Sequence, residues 1–260
     1  MNVSLKGKRA VVCGSSQGIG LAVAKELAAQ GAECVLIARY EKDLVKAVES
    51  LSTADGQQHS YLLADFGELQ QIKKAIEKLQ RMEVDILVNN TGGPKAGPIA
   101  TALETDFVNA FQQHLLVNHM FTKAVIPSMK LRGYGRIINI VSTSVKVPID
   151  NLGVSNTTRA AVAGWAKTMA NELGQFQITV NNVLPGYTDT KRLNNLIDAN
   201  AERRGVTKEV IKKEMIESIP AKRFAEASEI ASVVCFLASP AASYVNGVSL
   251  RVDGGKTGAI

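Results

Sequence analysis

Residues 10–31 read Ala10-Val-Val-Cys-Gly14-Ser-Ser-Gln-Gly18-Ile-Gly20-Leu-Ala-Val-Ala-Lys-Glu-Leu-Ala-Ala-Gln-Gly31: an apolar run, a glycine-rich turn and a helical pattern. Gly14 permits a tight turn, Gly18 lets the backbone approach a pyrophosphate, and Gly20 lets the helix pack closely on the strand. The helix N-terminus offers unpaired N–H groups to the phosphates. A strand before and a helix after these glycines favour dinucleotide binding over an ordinary turn. The predicted phosphate contacts are Gly14, Ser15, Ser16, Gln17, Gly18, Ile19 and Gly20.

Outward from this turn, short apolar runs alternate with helical patterns along the whole chain. The runs are residues 10–13, 34–37, 60–63, 85–88, 136–141, 178–183 and 248–252. Their continuous apolar character predicts a parallel sheet that is buried on both faces. Between the runs the apolar spacing is about 3.6, which is typical of helices with one buried stripe. We therefore predict an α/β fold with one Rossmann-type, doubly wound, seven-stranded parallel sheet and helices on both faces, in a single dinucleotide-binding domain, residues 1–260.

Composition disfavours several classes of partner. The chain has 30 Lys and Arg against 24 Asp and Glu, a net charge of +6 that is dispersed, and 5% aromatic residues, which together argue against nucleic acid. Since the chain shows neither a signal peptide nor an apolar window of membrane-spanning length, we expect a cytoplasmic protein without a membrane partner. Cys13, Cys34 and Cys235 are far apart in sequence, which favours buried thiols, and we predict no metal site.

The second apolar run leads into Ala38, and the next residue is Arg39. Folds that bind NAD(H) often carry an acidic residue at this point for the ribose diol, whereas a guanidinium pairs with a 2′-phosphate. Arg39 therefore favours NADP(H) as the cofactor. The alternative is that Arg39 is a surface cation beside Glu41 and Asp43.

Further motifs follow in order along the chain. They are Asp65-Phe66, Asn89-Asn90-Thr91-Gly92, Asn118, Gly135-Arg-Ile-Ile-Asn-Ile-Val-Ser142, Pro185-Gly186 with Thr190, Phe236-Leu-Ala-Ser, and Val252-Asp253-Gly254-Gly255. With these motifs the chain resembles the short-chain dehydrogenase/reductase family over its whole length, especially its 3-oxoacyl-(acyl-carrier-protein) reductases. The resemblance implies that Asp65 contacts the adenine, Asn90 lines the adenosine ribose, and residues 185–190 bracket the nicotinamide. The cofactor contacts predicted beyond the glycine turn are Arg39, Asp65, Phe66, Asn90, Thr91, Gly92, Arg159, Pro185, Gly186, Thr188 and Thr190.

The same resemblance places four residues at the reacting centre. In the family a Ser polarises the carbonyl, a Tyr donates its phenolic proton, a Lys lowers the phenol pKa and holds the ribose, and an Asn supports a relay water. Ser142 and Asn118 match this set, but Ser155 and Arg159 stand where the family has Tyr and Lys. An aliphatic hydroxyl is a poor general acid compared with a phenol, whose pKa is about 10. Arg159 is permanently charged, so it can hold ribose hydroxyls but cannot relay a proton as Lys does.

Three other proton sources remain open from the sequence. Tyr187 follows Pro185-Gly186 on the loop that the family folds against the nicotinamide, although an apolar lid contact is the preferred interpretation. His114 lies one helical turn before Asn118 and shares its face, although core packing is the default for a histidine. A water polarised by Ser142 and Arg159 is the third source.

Two functions from different classes follow. In the first, the protein is an NADP(H)-dependent oxidoreductase acting on a carbonyl or a secondary alcohol, with 3-oxoacyl thioesters as one candidate substrate. In the second, it is an NADP(H)-binding protein with little or no turnover, acting as a sensor or partner subunit. Ser142, Asn118 and the complete cofactor motif favour the enzyme, because a scaffold that only binds a cofactor has no evident need for a carbonyl-polarising hydroxyl.

Residues 191–219 carry charges of both signs, which is typical of a solvated helix with i,i+4 pairs such as Glu209 and Lys213. Their position after the sixth run also favours a substrate lid. Lys130 and Arg132 are candidate contacts for an acidic carrier protein, with plain solvent exposure as the alternative. The resemblance implies a homo-oligomer, a tetramer or dimer, through the helices around Ala124 and residues 153–173, whose apolar residues core packing would also explain.

Overall fold

A computed structural model describes residues 1–259 and confirms the predicted architecture. The strands are β1 (Arg9–Cys13), β2 (Glu33–Ala38), β3 (Ser60–Leu63), β4 (Ile86–Asn89), β5 (Gly135–Ile140), β6 (Ile178–Pro185) and β7 (Ser249–Val252). They form one parallel sheet in the order β3-β2-β1-β4-β5-β6-β7. All seven predicted runs are strands, with ends that shift by at most two residues.

Helices connect successive strands and cover both faces of the sheet. They are α1 (Gly18–Ala29), α2 (Glu41–Glu49), α3 (Leu69–Leu79), α4 (Glu104–Phe111), α5 (Val117–Arg132), α6 (Gly153–Leu173), α7 (Lys191–Arg204), α8 (Lys208–Glu217) and α9 (Ala227–Ala238). No helix among residues 1–259 is both long and apolar enough to cross a membrane.

The pleat of the central strands divides the core into two layers. Along β1, Ala10 and Val12 pack in the layer formed with α1, α2 and α9, whereas Val11 and Cys13 pack in the layer formed with α3, α5 and α6. Successive side chains of a strand point to opposite faces, so both faces of β1 are apolar and covered. The apolar runs in the sequence are continuous for this reason.

The direction of winding reverses between β1 and β4. After β1 the chain builds β2 and β3 on one side, and it then returns to build β4 through β7 on the other. In such sheets the reversal opens a crevice at the carboxyl ends of the strands, where ligands bind. The glycine turn after β1, the Asn90 segment after β4 and Ser142 after β5 all lie at this edge.

A π-helical turn, residues Gln112–Leu116, interrupts the helix that was expected to carry His114 and Asn118 on one face. The prediction assumed i,i+4 spacing, and a π turn shifts that register by one residue. Both side chains are nevertheless buried, at 1% and 6% exposure. His114 thus occupies the packed position that is the default for a histidine.

The segment 191–219 folds as two helices, α7 and α8, rather than one. Glu209 and Lys213 form no ion pair, and that prediction is wrong. Instead, Arg204 binds Glu214 and Lys208 Nζ lies 2.9 Å from Asp198 Oδ1. These pairs join the two helices to each other, because the chain turns between them at Gly205.

The structure also bears on two predictions about the surface, the docking role of Arg132 and the oligomer contact through α6. Arg132 Nε donates to Asp85 Oδ1 at 2.7 Å, and its Nη1 contacts Glu83, so this guanidinium is committed within the fold and is not a free docking cation. On α6, Val154, Val162 and Ala166 are buried within the chain itself. The core explains these three residues without an oligomer contact.

Candidate active site

A cleft of about 1160 Å³ opens at the carboxyl edge of the sheet. It exceeds the usual volume of a site for one drug-sized molecule, roughly 300–1,000 Å³. Most of the predicted site residues line it. They are Gly14, Ser16, Gln17, Gly18, Ile19, Arg39, Asp65, Phe66, Asn90, Thr91, Gly92, Ser142, Ser155, Arg159, Pro185, Gly186, Thr188 and Thr190.

Backbone geometry explains the glycines of the first turn. Gly14 and Gly18 adopt φ values of +58° and +56°, which L side chains rarely adopt. A β-carbon on Gly20 would lie 2.2 Å from the carbonyl oxygen of Gly14, so this glycine allows the start of α1 to lie against the turn. Asn90 Nδ2 donates to the same carbonyl at 3.0 Å and ties the end of β4 to the turn.

Three predicted site residues do not line the cleft. The hydroxyl of Ser15 donates to Val12 O at 2.8 Å and accepts from Ile37 N at 3.1 Å, so it braces β1 against β2 beneath the turn. Gly20 is buried in the close contact just described. Asn118 is buried in α5 behind the cleft wall, because the π turn sets where its side chain falls.

Arg39 leaves the end of β2 with its charge uncompensated. It is exposed and its guanidinium carbon lies 4.8 Å from the ring centroid of Tyr40. It forms no ion pair with Glu41 or Asp43, and the Glu41 carboxylate instead accepts from Tyr61 Oη at 2.9 Å. The guanidinium is therefore available to an anion bound in the cleft.

Ser142 and Ser155 reach the cleft from different elements. Ser142 follows β5, and its Oγ accepts a hydrogen bond from Ser144 N at 3.1 Å. This contact uses a lone pair, so the hydroxyl hydrogen is free to donate into the cleft. Ser155 lies in the first turn of α6 and is 9% exposed.

Arg159 follows Ser155 by one turn of α6, so both face the cleft. Its Nη1 donates to Ile140 O at 3.0 Å, and the side chain is 8% exposed. Burial, together with the charge of Arg192, lowers the pKa of Arg159 to about 10. The guanidinium thus keeps its charge at pH 7 while it lies next to a second cation.

His114 and Tyr187 take supporting positions near the cleft. Thr91 Oγ1 and His114 Nδ1 are hydrogen-bonded to each other. Burial, and then the charges of Arg159 and Arg192, lower the pKa of His114 to about 3, so the imidazole is neutral at pH 7. Burial raises the pKa of Tyr187, whose ring packs edge-on against Phe224 with centroids 6.1 Å apart.

Sequence reasoning missed Arg192, Gly93 and Lys256, which also line the cleft. Arg192 lay among the many charges of residues 191–219. The available signal was its place in the first turn of α7, two residues after Thr190, whose hydroxyl caps that helix by accepting from Leu193 N. A helix that starts at the carboxyl edge of the sheet brings its first turn to the cleft.

Comparison with known proteins identifies the family. Residues 14–257 match the family model described as enoyl-(acyl carrier protein) reductase. The 3-oxoacyl-(acyl-carrier-protein) reductase FabG of Haemophilus influenzae is 33% identical over 255 residues, which cover 96% of this chain and 98% of that protein. The chain belongs to the short-chain dehydrogenase/reductase family.

Solved structures of short-chain dehydrogenases/reductases superpose closely on this fold. L-sorbose reductase from Gluconobacter frateurii, complexed with NADPH and L-sorbose, has a TM-score of 0.93 and 30% identity, with 100% of each chain covered. Gluconate 5-dehydrogenase from Burkholderia cenocepacia, in complex with NADP and tartrate, has a TM-score of 0.87 and 30% identity over 100% of this chain and 98% of that one.

Proposed function

We propose that this protein is an NADP(H)-dependent oxidoreductase that acts on a carbonyl or a secondary alcohol through an atypical proton-transfer site. The observation that carries the proposal is that Ser142, with a free hydroxyl hydrogen, faces the same cleft as the glycine turn and Arg39. The similar proteins that bind NADP or NADPH act on carbonyl or alcohol groups of small molecules, which supports this assignment.

The residues of the cleft fit NADP(H). The glycine turn leaves backbone N–H groups open toward the cleft at the start of α1, where a diphosphate is stabilised by the helix dipole. Arg39 would pair with a 2′-phosphate, Asp65 would contact the adenine, and Arg159 would hold the nicotinamide ribose. When bound, the nicotinamide supplies or accepts a hydride.

The chain's own groups then act on the substrate oxygen. The hydroxyl of Ser142 donates a hydrogen bond to the carbonyl and stabilises the negative charge that develops on its oxygen. Ser155 and Arg159 replace the family's Tyr and Lys, so the family's phenol is absent from α6, and the ring of Tyr187, which also lines the cleft, packs against Phe224. We assign the proton to a water held by the hydroxyls of Ser142 and Ser155, and the hydroxide that remains takes a proton from bulk water at the mouth of the cleft.

Residues 191–219 act as a lid over the substrate. Leu193, Ile197 and Ile211 form a small apolar cluster between α7 and α8, and Tyr187 packs against it. This cluster is separate from the two layers of the main core. Arg192 Nη2, which donates to Pro94 O at 2.9 Å, links the lid to the segment after β4.

A second candidate is an NADP(H)-binding protein with little or no turnover. The replacement of both the phenol and the lysine favours it, because a positioned general acid typically contributes about 10²–10⁴-fold to the rate. The retained Ser142 hydroxyl favours the enzyme.

A spectrophotometric assay tests the proposal. NADPH absorbance is followed with 3-oxoacyl thioesters, an α,β-unsaturated acyl thioester, quinones, aldehydes and sugar ketones. We expect at least one compound to consume NADPH, and Ser142→Ala to slow this consumption by about 10²-fold or more without weakening NADPH binding. Ser232→Ala, on the exposed face of α9, is the matched control. Tight NADPH binding without consumption by any compound would favour the binding protein.

A further inference from the structure

Arg159 and Arg192 bring two guanidinium groups to one point of the cleft. The position that a β-carbon on Gly93 would occupy lies 2.9 Å from Arg192 Nη2 and 3.8 Å from Arg159 Nη2. The two side chains come from different elements, α6 and α7, and they meet beside the segment that follows β4.

No acidic side chain compensates this pair. The ion pairs among residues 1–259 include neither Arg159 nor Arg192. Each donates to one backbone carbonyl, Arg159 to Ile140 and Arg192 to Pro94, which leaves further N–H groups without a protein acceptor in the described part of the chain. Two adjacent like charges repel each other, and a guanidinium presents five N–H groups in a planar fork suited to oxyanions. An anion at this point would relieve the repulsion.

The position of the pair indicates which end of the cleft receives the anion. Arg159 lies one helical turn after Ser155, and its anchor, Ile140, lies two residues before Ser142. The glycine turn that fits phosphates follows β1, and β4 separates β1 from β5 in the sheet. Arg159 therefore lies on the side of the cleft that carries Ser142, whereas Thr190, two residues before Arg192, approaches the phosphate turn, with its Cγ2 3.5 Å from the position of a β-carbon on Gly18.

We propose that Arg192 and the N–H groups of Arg159 that the ribose leaves free form an oxyanion site that binds a carboxylate of the substrate close to the carbonyl held by Ser142. This inference rests on the proposed function for the identity of the reacting carbonyl, and it narrows the substrate class to oxo acids or hydroxy acids. The competing source of an oxyanion is the phosphate of the cofactor.

Calorimetric titration tests the site without turnover. The protein saturated with NADP⁺ is titrated with acetoacetate and with ethyl acetoacetate, which share the 3-oxo group and differ in the carboxylate. We expect acetoacetate to bind at least tenfold more tightly, because a charge-assisted bond typically contributes about one to two decades of affinity. Arg192→Gln should remove most of this preference, and Arg192→Lys should keep part of it. Arg81→Gln, which removes the same charge from the exposed surface after α3, away from the cleft, is the matched control and should leave the preference unchanged.

Three results would overturn the inference. The first is equal or undetectable binding of acetoacetate and its ester. The second is a preference for the acid that persists in Arg192→Gln. The third is a tenfold loss of NADPH affinity in Arg192→Gln with the preference for the acid intact, which would assign the pair to a cofactor phosphate. If the unmutated protein does not bind NADP⁺, the proposed function fails separately, and the same titration on the protein alone still decides whether the arginine pair binds a carboxylate.

Discussion

At the scale of single residues, we propose that Arg39 determines which nucleotide the cleft prefers. Its guanidinium has no carboxylate partner, so a 2′-phosphate gains a charge-assisted contact of about 1.5–3 kcal/mol. We expect NADPH to bind roughly one to two decades more tightly than NADH, and Arg39→Ala to abolish this difference. Fluorescence titration with both nucleotides measures it. Equal affinity of the unmutated protein for the two nucleotides would refute the role of Arg39.

We propose that Ser155 and Arg159, which replace the family's Tyr and Lys, limit the rate of the reaction. We expect the double variant Ser155→Tyr, Arg159→Lys to reduce a small activated ketone faster than the unmutated protein, and Ser155→Tyr alone to gain less. The reason is that the phenol restores a general acid and the lysine lowers its pKa. Ser155 lines the cleft, so the phenol would be presented to the bound substrate.

Reduction rates of all three proteins are compared after thermal melting shows that each is folded. A folded double variant with no gain in rate would mean that the site is not a dehydrogenase centre that lacks one acid. The binding-protein function would then be favoured.

His114 makes stability depend on pH. Burial and the charges of Arg159 and Arg192 lower its pKa to about 3 in the folded protein, below the unfolded value of about 6.5. The unfolded chain therefore binds more protons between these two pH values, and stability falls as the pH drops from 6.5 toward 3. We expect His114→Gln to reduce the dependence of the unfolding free energy on pH by up to about 1.4 kcal/mol per pH unit. Urea unfolding of both proteins between pH 4 and 7 gives the difference, and parallel curves would contradict the effect.

Most of the site residues that the sequence predicted do line the cleft, since backbone-determined positions leave a signature. Gly14, Gly18 and Ser142 each follow a strand at a fixed distance. Side chains that reach the cleft from distant segments leave no such signature. Arg192 belongs to this second class because its contact with the β4 loop depends on how α7 packs.

At the scale of elements, the turn between β1 and α1 tolerates no side chain at Gly20. A β-carbon there would lie 2.2 Å from Gly14 O and 2.8 Å from Asn90 Nδ2. We expect Gly20→Ala to cost about 1–3 kcal/mol of stability and to weaken NADPH binding, because the turn must shift.

Gly164→Ala is the matched control for this substitution. Gly164 is exposed within α6, and a β-carbon there meets no atom within 4 Å. An alanine should stabilise the helix by about 0.5–1 kcal/mol. Chemical denaturation compares the two variants, and equal effects would contradict the steric argument.

Element boundaries show where sequence patterns are insufficient. The strands were predictable because their apolar runs are buried on both faces. The π turn at Gln112–Leu116 and the break between α7 and α8 were not, since neither interrupts the spacing of apolar residues strongly enough to be recognised. The π turn lies beside the cleft, which Gln113 lines and next to which His114 is buried.

At the scale of the whole molecule, the fold assembles a cofactor cradle and a reacting centre at one edge of the sheet. The cradle comes from the turn after β1 and the end of β2, whereas the reacting centre comes from β5 and α6. Family membership accounts for this arrangement. The cationic character of the proposed reacting centre comes from Arg159 and Arg192, and its proposed consequence is a preference for anionic substrates.

The most direct test of the central claim follows the hydrogen that is transferred. The unmutated protein is supplied with NADPH deuterated at the transferable position and with the carbonyl compound that consumes it fastest, and the product is analysed by mass spectrometry. We predict one deuterium on carbon in the product, and loss of most of this product in Ser142→Ala. If NADPH binds but no compound acquires deuterium, the protein is a nucleotide-binding protein and not an oxidoreductase.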